Sequence, residues 1–249
     1  MIVEFLAEEN ARSLTSSMPL CHNPPFIFIH IPKCAGTSIG DALTNAGCNL
    51  EFSGPAPLPL RFDLDSLWLH HAPAKKLRKV ISDSVWRSYF KFGFVRNPWD
   101  RLVSMFHYRR RKEPVYPSVT YDLSLGHATT RPTYWHKHLV NARSTSVAPN
   151  ESFGEWVQRQ VVRNKLAKGF SCCHYLYDDV GNLLVDEVFR YEHLESDFSH
   201  LCNSLLLNAR LARLNPSEHA DYRTYYTPYL RDLVTEYFAE DIQRFEFRF

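Results

Sequence analysis

The sequence predicts an α/β fold in which helices flank a parallel β-sheet within a single domain. Its 249 residues are enough for one large domain with a sizeable core, and a hydrophobic content of 45% is typical of a folded globule. Segments with the apolar runs of buried strands alternate with segments of helical periodicity. This alternation favours a parallel sheet that binds ligands at the carboxyl ends of its strands.

The first strand and helix follow an N-terminal arm, which we assign to residues 1–25. FIFIHI (26–31) is predicted to be a buried strand because of its apolar run and its length. GTSIGDALTNAG then continues as a helix that ends near Gly47. APAKKLRKVI (72–81) has the composition of a second helix.

The next strand and helix have the clearest boundaries in the sequence. YFKFGFV (89–95) is rich in residues that favour strands. NPWDRLVSMFHYRRR (97–111) follows it and begins with Asn97 at the position of an N-cap and Pro98 at the first helical position. We therefore predict a strand that leads directly into a long helix.

The remaining chain begins with residues 112–150, which are too polar and irregular for a core element and are predicted to be a long functional insertion. An amphipathic helix near Phe153, a strand at LLVDEVFRY and a helix at HLESDFSHLCNSLLL come next. The end of the chain is predicted to be one long helix, whose apolar face comprises Leu230, Leu233, Val234, Tyr237, Phe238 and Phe245.

Composition excludes several classes of protein. Lys and Arg number 29 against 27 Asp and Glu, which gives a net charge of only +2. This charge argues against a chain-wide basic surface for nucleic acid, but it allows a local basic cleft. No apolar run is long enough for a membrane anchor. The short apolar segment near the N-terminus has no basic segment before it, so we expect no signal peptide. The six cysteines fit neither a disulfide framework nor a zinc site. We expect a cytoplasmic protein with reduced thiols and no metal.

The segment HIPKCAGTSI (30–39) has the chemistry of an anion-binding loop. A turn between a buried strand and a helix offers backbone N–H groups and the positive end of the helix dipole. Gly36 allows close approach, Lys33 adds a charge, and Thr37 and Ser38 add hydroxyl groups. The loop is not a Walker A motif, because its lysine precedes the glycine. The alternative is an ordinary turn with a solvated lysine.

The segment FVRNPWDRLVS (94–104) repeats this arrangement at the second strand. Capping and the helix dipole explain Asn97, Pro98 and Asp100. They do not explain Arg96 or Ser104, whose guanidinium and hydroxyl groups suit a phosphate. Two anion sites on two strand ends predict a ligand with two separated anionic groups.

These two motifs resemble those of sulfotransferases that use 3′-phosphoadenosine 5′-phosphosulfate (PAPS). HIPKCAGTSI is similar to the family's 5′-phosphosulfate loop, and FVRNPWDRLVSMFHY is similar to its 3′-phosphate strand and helix. The nearer branch contains carbohydrate enzymes such as heparan sulfate 2-O-sulfotransferase and bacterial relatives. The resemblance covers residues 26–249, including LNPSEHADYRTYYTPYLRDLVTEYFAEDIQRFEF, and implies a sulfotransferase domain with a P-loop-kinase-like sheet.

The resemblance also implies a set of site residues. The cofactor-binding set comprises Lys33, Cys34, Ala35, Gly36, Thr37, Ser38, Arg96 and Ser104. The loop members would bind the 5′-phosphosulfate, largely through backbone N–H groups, and Arg96 and Ser104 would bind the 3′-phosphate. Lys33 would contact the leaving oxygen. Cys34 and Ala35 replace the Thr and Gly of some relatives, so we expect Cys34 to pack rather than to act as a nucleophile.

Direct sulfuryl transfer requires a base for the acceptor hydroxyl, and LWLHHAPAKKLR (67–78) supplies candidates. In the family a His before Ala at this helix start is the base, and His71 matches it. The alternative bases are the adjacent His70, a carboxylate or another histidine. His71 would then have only a capping or packing role. His107, His136 and His138 are further candidates to line the acceptor cleft.

The function predicted from the sequence is therefore sulfuryl transfer from PAPS to an acceptor hydroxyl, with 3′-phosphoadenosine 5′-phosphate (PAP) as product. The resemblance favours a glycan or glycoconjugate as the acceptor partner. A small secondary metabolite or polyketide hydroxyl is the alternative acceptor. A hypothesis of another class is a catalytically silent nucleotide-binding scaffold, which would be expected to lack Lys33 or every candidate base.

Overall fold

The computed structural model describes residues 20–50, 71–111, 121–122, 127–128, 147–162, 170–211 and 219–249. Its main sheet has the strand order β1-β2-β3-β6, in which β1 is Leu20–His22, β2 is Pro25–Ile29, β3 is Phe90–Val95 and β6 is Glu187–Arg190. A short antiparallel pair, β4 (Tyr121–Asp122) and β5 (His127–Ala128), lies within the predicted insertion. Helices flank the main sheet, so the prediction of an α/β domain is confirmed.

The helices are α1 (Gly36–Asn45), α2 (Ala74–Val80), α3 (Asp83–Ser88), α4 (Pro98–Arg111), α5 (Phe153–Val162), α6 (Cys172–Leu176), α7 (Leu194–Ser204), α8 (Pro228–Tyr237) and α9 (Ala239–Arg244). Short 3₁₀ turns lie at Tyr191–His193 and Tyr222–Tyr225. Among the described residues, none of these helices has the length and apolar character needed to cross a membrane.

The central strands are parallel, as the sequence predicts. β2 pairs with β3 through Phe28 and Phe92, and β3 pairs with β6 through Phe94 and Phe189, in both cases in parallel register. The rings of Phe94 and Phe189 stack with centroids 5.0 Å apart, and all four phenylalanines are buried. Burial on both faces explains why β2 and β3 read as continuous apolar runs.

The boundary of the N-terminal arm differs from the prediction. Residues 20–22, which were assigned to the arm, form the edge strand β1 and pair antiparallel with β2. Leu20 and Cys21 are buried there, so this segment pairs with the edge of β2 and contributes to the core. A strand of three residues is too short to give a periodic signal in the sequence. Residues 1–19 lie outside the described part of the chain.

The predicted last helix is two helices, α8 and α9, that meet at Phe238. The backbone of this buried residue leaves the helical conformation, with φ −108° and ψ 25°. The break brings the carboxylate of Asp241 onto the start of α6, where it accepts hydrogen bonds from the backbone N–H groups of Cys172 (2.7 Å) and Cys173 (2.9 Å). The break and this tertiary contact occur together, whereas local periodicity would continue the helix.

Candidate active site

The two predicted anion-binding motifs meet at one edge of the sheet. Because β2 and β3 are parallel neighbours, the loop after Ile29 and the residues after Val95 leave the sheet on the same side. A hydrogen bond joins them, since Nη1 of Arg96 donates to the backbone carbonyl of Lys33 at 3.1 Å. The structure thus brings Lys33 and Arg96 into one site, although 63 residues separate them in the chain.

The loop between β2 and α1 has an unusual backbone. Lys33 and Ala35 have positive φ angles of 66° and 63°, in the left-handed region that residues with a side chain seldom adopt. Ala35 is also the N-cap of α1, and no side chain caps the helix there. The first N–H groups of α1, at Gly36, Thr37 and Ser38, have no partners within their own helix. This part of the loop is therefore built to offer backbone donors.

Gly36 is required by the packing of the loop. A Cβ atom at this position would lie 1.8 Å from Cδ2 of His30, so the imidazole ring occupies the space that any side chain would need. The His30 ring stacks on Phe28, with centroids 5.5 Å apart and an interplanar angle of 12°. Thr37 is exposed on the outside of the loop, while Ser38 is buried.

Arg96 is buried and closely oriented by its neighbours. Its Nε donates to Oδ2 of Asp100 at 2.8 Å, and its Cζ lies 3.8 Å from the centroid of the Tyr191 ring. Ser104 is buried on the same helix as Asp100, two turns after the start of α4. The ion pair with Asp100 and the stacked ring restrict the guanidinium to one orientation, a feature that the sequence did not indicate.

Arg101 lies fully buried beneath the loop, and its role was missed in the sequence. Its Nε donates to the backbone carbonyl of Pro32 at 2.8 Å, and its Nη1 donates to the carbonyl of Phe170 and contacts Sγ of Cys172 at 3.3 Å. Within the described part of the chain, its Nη2 has no hydrogen-bond partner. One buried cation therefore joins α4, the loop before Lys33 and the start of α6.

Cys34 belongs to the same buried cluster. The Cys34 thiol donates to the backbone carbonyl of Pro32 at 3.7 Å. Burial would raise the pKa of this thiol, but its interaction with the Cys172 thiol and the charges of Arg101 and Arg96 outweigh burial, so the pKa lies below its ordinary value. Burial raises the pKa of Cys172 well above that value. Only 1% of Cys34 is exposed, so this sulfur faces the protein interior.

Lys33 extends from the loop toward α4. Its Nζ lies 4.3 Å from the centroid of the Tyr108 ring, which is a cation–π contact. Tyr108 follows Ser104 by one helical turn and so lies on the same face of α4. Nothing in the sequence pattern distinguishes this tyrosine from its neighbours.

His71 lies beside the loop, next to His30. Its Nδ1 is 2.9 Å from the backbone carbonyl oxygen of His30, and the two rings have centroids 4.3 Å apart. Because a carbonyl oxygen only accepts hydrogen bonds, Nδ1 must be the protonated nitrogen. In the neutral ring the basic lone pair is then on Nε2.

Of the other histidine candidates, only His107 lies within the described residues, where it packs against the 3₁₀ turn at Tyr222–Tyr225. His70, His136 and His138 lie outside them. Nε2 of His107 is 2.9 Å from the Tyr225 hydroxyl, and its ring stacks on His219 with centroids 5.4 Å apart. Over the ranges that the structure describes, no cluster of three or more His, Cys, Asp or Glu residues is placed to bind a metal ion.

Comparison with known proteins gives one family. The family model described as "Sulfotransferase family" matches residues 18–248, and so includes both motifs and all of the main sheet. No curated protein gives a significant match. The prediction of a sulfotransferase is thus confirmed at the level of the family, while the branch that includes heparan sulfate 2-O-sulfotransferase stays a prediction.

We predict that Arg101→Leu lowers the free energy of unfolding by roughly 2–4 kcal/mol, because it leaves the buried carbonyls of Pro32 and Phe170 without their donor. Urea denaturation measures the change. Arg87→Leu is the matched control, since the Arg87 side chain is 79% exposed and makes one surface ion pair, and its effect should stay within about 0.5 kcal/mol. Equal stability of the two variants would contradict the structural role of Arg101.

Proposed function

The chain belongs to the sulfotransferase family, and from that premise we propose that it transfers the sulfuryl group of PAPS to an acceptor hydroxyl by direct in-line displacement. The observation that supports this most is the hydrogen bond between Arg96 and the Lys33 carbonyl, which unites two cationic motifs at one sheet edge. A nucleotide with phosphate groups at both its 3′ and 5′ positions has the charge distribution that such a pair of motifs would bind.

The loop is proposed to bind the 5′-phosphosulfate. Its donors would be the backbone N–H groups from Ala35 to Ser38, the hydroxyls of Thr37 and Ser38, and the ammonium of Lys33. The sequence also suggests the N–H of Cys34, but the structure shows that group donating to the Ile31 carbonyl at 3.3 Å. The left-handed backbone at Ala35 supports this fit, because no side chain caps the start of α1 there. Lys33 would stabilise the negative charge that develops on the leaving oxygen.

Arg96 and Ser104 are proposed to bind the 3′-phosphate. The ring of Tyr191 and the carboxylate of Asp100 orient the Arg96 guanidinium before any nucleotide binds. Because the guanidinium is already oriented, the Arg96 side chain would lose less conformational entropy when the nucleotide binds. The burial of Arg96 also strengthens its attraction for an anion, because little water screens it.

His71 is proposed as the base that removes the proton of the acceptor hydroxyl. Its hydrogen bond to the His30 carbonyl selects the tautomer in which Nε2 can take up a proton. The resulting imidazolium would keep Nδ1–H on the carbonyl and carry the new proton on Nε2. No covalent enzyme intermediate is required in this scheme.

The finer parts of the proposal come from family resemblance. They are a P-loop-kinase-like sheet, membership of the branch that contains heparan sulfate 2-O-sulfotransferase, and a sugar hydroxyl in a glycan or glycoconjugate as the acceptor. The antiparallel pairing of β1 with β2 adds an edge strand to the parallel sheet and is compatible with this arrangement.

The function is tested by incubating the protein with labelled PAPS and a panel of glycan and small-molecule hydroxyl acceptors. We expect stoichiometric formation of PAP and a sulfated product with a member of the panel. Thermal stabilisation by PAP is measured in parallel, because it reports binding alone. Stabilisation without turnover on any acceptor would favour a silent nucleotide-binding scaffold, and the absence of both would reject PAPS as the ligand.

A second prediction concerns nucleotide selectivity. The wild-type protein should bind PAP at least about tenfold more tightly than adenosine 5′-phosphate, since one charge-assisted contact is worth about 1.5–3 kcal/mol. Arg96→Ala should abolish most of this ratio, as measured by calorimetry. Both nucleotides are measured on the same variant, so a loss of folded protein affects both measurements equally and does not change the ratio of the two affinities. If the wild type binds both nucleotides equally, Arg96 does not bind a 3′-phosphate.

A third prediction concerns the base. His71→Ala should lower kcat by about a hundred- to ten-thousandfold and leave PAP affinity intact, because only proton removal is lost. In the wild type, kcat should fall toward acidic pH as the imidazole is protonated. His200→Ala is the control, since the His200 side chain is 63% exposed. If His70→Ala is the inactive variant and His71→Ala remains active, the base is assigned to the wrong residue of the pair.

A further inference from the structure

The face of α4 that meets the loop carries a stripe of three residues. Arg101, Ser104 and Tyr108 follow one another at helical spacing, so they lie on one face of the helix. The first of them donates to the Pro32 carbonyl at 2.8 Å, and the last lies beneath the Lys33 ammonium, 4.3 Å from its ring centroid. One helix face therefore contacts two consecutive loop residues at its two ends.

The backbone and the side chain of Lys33 are fixed by different groups. Its carbonyl accepts from Arg96, and its backbone has a left-handed conformation, which together set where the side chain leaves the loop. These contacts do not orient the ammonium, because a flexible four-carbon stem with several rotatable bonds separates it from the backbone. The Tyr108 ring lies at the far end of that stem.

We propose that Tyr108 is a positioning residue that orients the Lys33 ammonium for sulfuryl transfer. The inference rests on the proposed function, in which Lys33 acts on the leaving oxygen. Tyr108 is 38% exposed, so the ring contributes little to the core, and its contact with Lys33 gives it a different role. The face of an aromatic ring attracts a cation without neutralising it, as a carboxylate would. Contact with the ring therefore leaves a lysine able to attract an anionic ligand.

The first part of the test measures the contact without activity. Ring currents should shift the Hε protons of Lys33 upfield in NMR spectra, with the signal assigned by its loss in Lys33→Arg. We expect the shift to persist in Tyr108→Phe, which retains the ring, and to vanish in Tyr108→Leu. If the wild-type protein has no shift, or if Tyr108→Leu retains it, the inference is overturned whatever the activity.

The second part measures the role in transfer. Tyr108→Leu should lower kcat about two- to fivefold, the range of an exposed cation–π contact, while PAP affinity changes less. Tyr108→Phe should retain most of the activity, because the ring face is the operative group. Tyr229→Leu is the control for an exposed tyrosine, since Tyr229 is 64% exposed on α8. If Tyr108→Phe loses as much as Tyr108→Leu, the hydroxyl is responsible and the inference is wrong.

A double-mutant cycle links the effect to Lys33. Lys33→Ala alone should lower kcat by about a hundredfold or more, as loss of one donor to the transition state does. If Tyr108 acts through Lys33, adding Tyr108→Leu to Lys33→Ala should cause no further loss. An equal loss in both backgrounds would overturn the inference and leave sulfuryl transfer intact. No turnover by the wild type would instead overturn the proposed function, whatever the ring-current shift.

Discussion

The architecture of the site depends on the buried guanidinium of Arg101. A charged group removed from water must find polar partners, and the partners of Arg101 lie on two other segments, at Pro32 and near Cys172. Cys172 in turn donates its backbone N–H to Asp241 at the end of the chain. This series of contacts connects the loop, α4, α6 and α9, so the position of the loop is set by hydrogen bonds that lie behind it.

The local electrostatics of the site differ from those of the whole chain. The formal charge of the protein is only +2, but Lys33, Arg96 and Arg101 all lie at one sheet edge. Asp100 pairs with Arg96 and compensates for part of this charge. Asp241 likewise acts on the charge of Arg101 from behind the loop. A nearly neutral composition is therefore compatible with three cations at one end of the sheet, beside the positive end of the α1 dipole.

The sequence predicts the features of this protein that depend on local pattern. The central strands are long apolar runs, and α4 begins with an Asn–Pro signal, so both were predicted close to their observed bounds. Features that depend on distant contacts were missed. The helix break at Phe238 accompanies the contact between Asp241 and α6, which lies outside local sequence pattern. Ala35 takes a left-handed conformation in which local propensity would place glycine. Arg101 and Tyr108 look like ordinary members of an amphipathic helix until their partners on the loop are known.

The packing of His30 against Gly36 has a consequence for sequence variation. The imidazole ring lies where a side chain at position 36 would begin, so a substitution at one position changes what the other can accommodate. A larger residue at position 36 requires a smaller one at position 30, and a library that randomises either position alone would sample only a fraction of the workable loops. The two positions, six residues apart, therefore behave as one coupled site in sequence space.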